Sequence, residues 1–564
     1  MPAIVDALKR RGLAPKLVLA LAHYDRRKAA ADIIAGVTVG LVALPLAMAF
    51  AISSGLPPQA GIYTAIVAGT IISACGGSRV QIGGPTGAFV VIVAGIVAVH
   101  GVDGLFMCTL MAGGLLLILG LTGMGTAVRF IPRPVVIGFT NGIAILIAST
   151  QIRDLFGLRI ETAPGDFLPR MQTLAAHFQT WSPAATLLAA ATLAIIVLMT
   201  RVSKHVPGSI VALLLGTSAV AFLGWDVETI GTRFGGIPSG LPPIHLPTFH
   251  PALIGGLIMP AVTVAMLGAI ESLMSAVVAD RMSGDRHNSN MELVAQGLAN
   301  IASPLFGGLP ATGAIARTAT NIRSGARTPV AGIVHAVTLL LILLFAAPLA
   351  RHIPLAVLAA ILMVVAYNMG EWSEIPDLFR LTKTDVAVWL VTLTLTVFAD
   401  LTVAVGVGMM LAALLFIHRV AETTTVTVVT EDYVRDGVAH SLQDKEIPPY
   451  VAIFRIHGPF LFGATEKLRL IQDHMDTLPE IVILRLRNMT ALDGTGLHAI
   501  GELADALTRS GRHLLLCGAR HQPALVMDRP GFHRHVAAGN ICAHVEDALR
   551  RARDLHQPRH RDTA

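Results

Sequence analysis

The sequence predicts an α-helical polytopic membrane protein of fourteen spans, arranged as a seven-plus-seven inverted repeat and followed by a small α/β domain. Three observations carry this prediction. The 564-residue chain is 54% hydrophobic and 14% charged, with a mean hydropathy of +0.67. Its charges are missing in long blocks. Two Gly/Pro-interrupted segments of matching sequence stand in corresponding halves of the chain.

An ordinary soluble domain carries about 25% charge, so the deficit excludes both a disordered chain and a solvated enzyme. No Asp, Glu, Lys or Arg occurs from Ile33 to Ser78, Val80 to Val102, Gly104 to Val128, Thr328 to Ala350 or His352 to Gly370. A spanning helix needs roughly 20 apolar residues, and several of these runs supply that length. Segments of this kind fill residues 32–420. An even number of spans returns the C-terminus to the side of the N-terminus.

Residues 1–31 form a basic entry. Lys9, Arg10, Arg11, Lys16, Arg26, Arg27 and Lys28 face only Asp6 and Asp25 there, which puts the N-terminus in the cytoplasm under the positive-inside rule. The first apolar run begins too late and extends too far for a cleaved signal peptide. The net charge of +6 and pI near 9.3 are explained by this flank, so no nucleic-acid partner is expected. Cys75 and Cys108 lie in apolar runs and Cys517 and Cys542 in the tail, without ligand-like spacing. They read as buried free thiols, and no metal site or cofactor is expected.

The third segment opens Gly83-Gly84-Pro85-Thr86-Gly87-Ala88, and the tenth opens Gly307-Gly308-Leu309-Pro310-Ala311-Thr312-Gly313-Ala314. Paired interrupted segments in corresponding halves are the sequence mark of inverted repeats with a site at their junction. Proline after paired glycines suits the first turn of a helix. A helix beginning at mid-membrane aims unpaired N–H groups and the positive end of its dipole at whatever lies in front. Two such ends facing one cavity make an anion site, and Thr86 and Thr312 can add hydroxyl donors at its mouth. Arg317 sits one turn inside the tenth segment. A guanidinium costs at least about 2.5–3.5 kcal/mol in the bilayer interior, so it faces a cavity or partner, or else snorkels from a helix end. Arg323 and Arg327 read as loop charges.

Glu271 lies in the apolar stretch Ala265–Ala279, with Ser275 one turn on. It either loads a proton or coordinates a cation as the cavity opens, or forms a static ion pair with Arg317. Asp400 reads as a helix N-cap. The nucleotide loop GxxxxGK[ST] and the HExxH and GxSxG motifs do not occur, so neither an ATP-driven pump nor an enzyme is expected.

Together these residues resemble the sulfate permease (SulP) family of anion transporters over nearly the whole chain. The resemblance rests on Asp32-Ile33-Ile34-Ala35-Gly36-Val37-Thr38-Val39-Gly40, Gly84-Pro85-Thr86 and Gly138-Phe139-Thr140. It rests further on the run from Asn290 through Gln296, Asn300, Phe306-Gly307-Gly308, Pro310, Thr312-Gly313 and Arg317-Thr318 to Asn321. It implies a fold shared with uracil permeases, in which a core domain (spans 1–4 and 8–11) works against a gate domain (spans 5–7 and 12–14). It places the anion at Thr86, Gly87, Ala314, Ile315, Ala316 and Arg317. Proton or cation coupling falls to Glu271, with Ser275 beside it. Many eukaryotic members carry serine where Ala316 stands, and in this the chain looks more like bacterial members that take up four-carbon dicarboxylates.

The function implied is proton-coupled uptake of a dicarboxylate such as succinate or fumarate. A sulfate or bicarbonate transporter coupled to protons or sodium, an anion channel, an exchanger and a membrane-anchored signalling protein remain alternatives. The partners implied are a small anion, a coupling proton or sodium ion, the lipid bilayer of a bacterial inner membrane and a second copy of the chain in a homodimer.

From about Ala421 to residue 555 the composition becomes mixed. Val451–Ile456, Ile481–Leu486 and His513–Cys517 read as strands, and Ala464–Met475, Gly496–Thr508 and Val545–Leu555 as helices. This tail is similar to the sulfate-transporter and anti-sigma-factor-antagonist (STAS) domain, with Leu492-Asp493-Gly494-Thr495-Gly496 at its signature turn. Gly494 stands where the soluble antagonists carry a phosphorylated serine, so Asp493 reads as a helix cap and the domain as a support for dimers or a dock for a regulatory protein. His556 and His560, separated by Gln557-Pro558-Arg559, read with residues 556–564 as a frayed, disordered tail.

Overall fold

The computed structural model describes residues 14–556 except 23, 126–131, 161–163, 203–206, 245–247, 249, 381, 400, 430–445 and 530. Asp400 and His560, the foremost basic residues of the entry and the end of the tail lie outside the described residues. The chain forms two units, Met1–Met410 and Leu411–Ala564.

The first unit is helical. Its first half runs α1 (Arg26–Ser53), α2 (Pro58–Cys75), the two-residue strand β1 (Gly83–Gly84), α3 (Gly87–Leu121), α4 (Arg133–Phe156), α5 (Pro183–Val202) and α6 (Gly208–Leu223). Its second half runs α7 (Ile254–Ser283), α8 (Ser289–Leu305), β2 (Thr312–Gly313), α9 (Ile315–Arg323), α10 (Val330–Phe345), α11 (Leu355–Met369), α12 (Lys383–Phe398) and α13 (Leu401–Thr423). Gly101, at φ +70°, kinks α3 in two, so among the described residues α1–α6 and α7–α13 each amount to seven segments, beside shorter connecting helices such as Phe167–Ala176. Among the described residues seven helices have the length and composition to cross a bilayer, and three shorter apolar helices stand between them. Phe222, Phe345 and Phe416 are exposed, as side chains facing lipid are.

Packing divides the helices into the core and gate that the family resemblance implies. α1, α2, α3, α7, α8, α9 and α10 pack on one another as a core, and α4 packs with α5, α11 and α12 as a gate. The halves meet at the interrupted segments. β1 and β2 pair antiparallel, with Gly83 opposite Gly313 and Gly84 opposite Thr312.

Neither proline begins a helix. Pro85 stands one residue before the N-cap Thr86, and Pro310 is five residues before α9, whose N-cap is Ala314. The prolines instead lie in extended chain entering each helix, where a missing N–H removes one group that would otherwise need a partner. Glycine is required at two places here. Gly84 adopts φ +148° with Arg317 packed against it, and a Cβ on Gly313 would collide with the Gln81 amide.

Neighbouring side chains hold the approach to β1. The buried Glu292 carboxylate accepts the Gly77 and Ser78 amides at 2.9 and 3.2 Å, and Asn321 donates to the Val80 carbonyl at 2.8 Å. Asn300 both donates to and accepts from the Ala311 backbone at 2.8 Å, which fixes the approach to β2. Asp32, fully buried, accepts from the Arg327 and Thr328 amides and the Thr328 hydroxyl, tying α1 to the start of α10.

In the second unit a five-stranded sheet runs β3 (Thr425–Val428), β4 (Val451–Phe460), β5 (Ile481–Leu492), β6 (His513–Cys517) and β7 (Ile541–Cys542), parallel except for β3. Helices α14 (Gly494–Arg509), α15 (His521–Met527) and α16 (Val545–His556) accompany it. The expected helix at Ala464–Met475 is instead a chain of short helical turns. Asp493 caps α14, accepting from the Gly496 amide at 2.7 Å. The Cys517 thiol is buried, and burial pushes its pKa up to about 12. His556 is not frayed. It ends α16, stacks on Tyr450 at 3.9 Å and bonds Glu480 at 2.9 Å.

Gly84→Ala should cost about 1–3 kcal/mol and lower the unfolding temperature of the detergent-solubilised protein. Gly95→Ala, whose added Cβ meets nothing, should leave it unchanged or raise it. Asp493→Ala should remove about 1 kcal/mol and speed hydrogen exchange in the first turn of α14.

Candidate functional site

α3 and α9 begin where β1 and β2 leave their pairing, and both N-termini line one cavity of about 280 Å³. Thr86 and Ala314 occupy the N-cap positions, and neither side chain makes a capping bond. The first two N–H groups of each helix are therefore free to serve a ligand.

Thr86, Gly87, Ala314, Ile315, Ala316 and Arg317 all line this cavity, and so does Glu271 from the middle of α7. Arg317 is 2% exposed. Its Nη2 donates to the Pro85 carbonyl, and its Nη1 has no hydrogen-bond partner. The half-buried Glu271 accepts from the Thr86 hydroxyl at 2.8 Å. Among the described residues no ion pair joins Glu271 to Arg317, so they do not form the static pair left open by the sequence. The N–H groups and the guanidinium can hold an anion, while Glu271 can hold a proton or cation.

Two expected contributors stand elsewhere. Thr312 is fully buried off the cavity, its hydroxyl bonded to Ser272 at 2.6 Å and to the Gly268 carbonyl at 3.1 Å. Ser275 is also fully buried and absent from the cavity wall. It donates to Thr318 at 3.2 Å, and Thr318 accepts the Ile82 amide at 3.0 Å. Both hydroxyls belong to the frame behind the half-helices: strand pairing turns Thr312 from the cavity, and Ser275 on α7 is bonded to Thr318 on α9.

Phe139 and Thr140 of α4, and Asn368, Met369 and Glu371 at the end of α11, close the cavity from the gate side. Sequence reasoning did not single out Glu371. The signal was its place as the first charge after the run His352–Gly370. Val135 and Val136, in the first turn of α4, also line the cavity, which therefore extends toward the end of the bundle where α4 begins and α11 finishes.

Residues 30–392 match the model of the Sulfate permease family, and residues 443–548 match the STAS domain. The chain belongs to the sulfate permease family. Its relatives include YvdB of Bacillus subtilis (strain 168), described provisionally as a sulfate transporter, at 41% identity over 93% of this chain and 98% of that protein. The bicarbonate transporter BicA of Picosynechococcus sp. is 31% identical over 92% of this chain and 94% of its own length. The solved transmembrane domain of a cyanobacterial BicA aligns at TM-score 0.62 and 36% identity, covering 68% of this chain and 99% of that one. The structure of SLC26A9 shares the fold at TM-score 0.86 and 17% identity, over 98% and 96% of the two chains.

This sulfate permease member is a multi-pass membrane anion transporter, and its family is one of transporters rather than enzymes. The relatives' names concern sulfate and bicarbonate. They give no support to the dicarboxylate kinship drawn from Ala316.

Arg317→Ala should weaken anion binding by about 1.5–3 kcal/mol, the value of a hydrogen bond to a charged group, measured with labelled anion on purified protein. Arg317→Lys should recover only part of that loss, because a point charge cannot reproduce the planar guanidinium.

Proposed function

We propose that this protein is a secondary carrier that moves a small oxyanion of the sulfate or bicarbonate class together with a proton or cation. The observation that carries the reading is the convergence of two uncapped helix N-termini and a buried guanidinium with an unmatched Nη1 on one cavity. Each helix end contributes about half a positive charge. The anion binds at Thr86–Gly87 and Ala314–Arg317, and the core carries it past the gate.

Glu271 supplies the coupling. It lies beside the anion on the core and bonds Thr86 at the N-cap of α3, so its occupancy by a proton or cation alters the field at that helix end. Ser275 stays in the frame, bonded to Thr318, and is not assigned to the coupling. The basic entry before α1 supports cytoplasmic termini. The cavity then faces the cytoplasm, because α4 begins and α11 ends on that side.

A four-carbon dicarboxylate is the second reading. Ala316 is exposed in the cavity wall and leaves room beside Arg317. Proteoliposomes holding the full chain discriminate the two. Labelled sulfate, bicarbonate and succinate are offered with and without proton or sodium gradients, each challenged by the others. Saturable uptake of sulfate or bicarbonate driven by one gradient is expected. Large anion currents that depend on neither a proton or sodium gradient nor a counter-substrate would replace the carrier with a channel. Glu271→Gln should leave downhill uptake but abolish its response to the driving gradient; an unchanged response removes Glu271 from coupling.

A further inference from the structure

We propose that Glu371 is a second charge-setting residue of the anion cavity, and that it acts with Glu271 to fix the charge of the anion the cavity accepts. The proposal rests on the carrier reading above and names what selects the substrate.

Glu371 is the sole non-glycine residue with positive φ among those described, at φ +43° and ψ +37°. Glycine or asparagine adopts this conformation at lower cost, and such strain gathers at functional sites. The turn that imposes it is built from several sides. Asn141, fully buried in α4, donates to the Gly370 carbonyl and accepts from the Trp389 indole at 2.9 Å. The Trp372 ring fills the space where a Cβ on Gly370 would stand, and the Glu374 amide bonds the Glu371 carbonyl at 2.9 Å. None of these contacts uses the Glu371 side chain. The turn would hold a glycine equally well, yet it holds a half-buried carboxylate on an anion cavity.

The charges facing Glu371 are few. Glu374 stands in its own turn and is ion-paired with Arg133 at the start of α4. Across the cavity stand Glu271 on α7 and Arg317 on α9, and among the described residues no other charged side chain lines the wall. Arg317 and the two helix ends sum to about +2. With both carboxylates ionised the cavity is near neutral and holds anions poorly. One bound proton leaves about +1, matched to a monoanion, and two leave about +2, matched to a dianion. The number of protons entering with the anion then equals its charge.

The test uses the full-length protein, with sulfate as a dianion and chloride as a monoanion, and reads apparent affinity between pH 6 and 8.5. In the wild type the preference for sulfate over chloride should fall as pH rises. Glu371→Gln removes one charge permanently, leaving about +1 where the wild type is near neutral, and should raise the affinity for both anions at pH 8.5, by about tenfold for sulfate. Glu371→Gly should do the same while unfolding at the same or higher temperature, which separates charge from backbone strain.

A Glu371→Gln profile that superposes on the wild type overturns the proposal, as does a wild type that fails to bind sulfate at pH 6. Loss of binding in Arg317→Ala with such a superposed profile leaves the carrier reading standing without Glu371. Anion binding undisturbed by Arg317→Ala would remove the carrier site itself.

Discussion

Everything in the membrane unit depends on two stretches of non-helical backbone being satisfied away from water. An unpaired peptide group in a hydrocarbon environment costs several kcal/mol, so the chain cannot break two helices at mid-membrane without supplying partners. β1 and β2 supply part of the answer to each other by pairing antiparallel. Neighbouring side chains supply much of the rest: Glu292 for Gly77 and Ser78, Thr64 for Leu309, Asn300 for Ala311, Ser272 for Gly313 and Thr318 for Ile82. A buried carboxylate or amide is costly alone, and these are justified by the backbone they serve.

That solution creates the site. Where the two strands part, each chain turns into a helix whose first N–H groups have no partner, and no side chain caps either end. The frame thus satisfies the backbone up to the helix starts and stops there, leaving an electropositive gap. Arg317 reinforces the gap and is itself held by the Pro85 carbonyl of the opposite repeat, so the two repeats share one guanidinium. The antiparallel pairing of β1 and β2 ties the two helix ends to one another within the core. The gate contributes Phe139 and Thr140 from α4 and Glu371 from the turn after α11, so the cavity wall is drawn from both domains.

Much of this was legible in the chain. The interrupted segments, the apolar blocks and the isolated Arg317 and Glu271 are local signals, and each marks a group that the bilayer would reject without a compensating site. The strand His513–Cys517 and the cap at Asp493 were legible for the same reason, since buried runs and capping residues act over a few positions. The direction of a threonine in a two-residue strand was not legible, so Thr312 was placed at the mouth and is found in the frame. His556 was assigned to the tail because its partners, Tyr450 and Glu480, lie far away in sequence.

The sequence by itself determined that the chain spans a membrane in two similar halves, that both halves break, and that a cation and a carboxylate sit near the breaks. Hydropathy, proline and glycine act locally, so those conclusions needed no folded structure. Only the tertiary structure decided which hydroxyls face the cavity, which polar residues serve the frame, and that a carboxylate from the turn after α11 joins the site. Those assignments depend on which helix lies against which. Residues remote in sequence become neighbours only when the repeats interlock, and no spacing along the chain encodes that meeting.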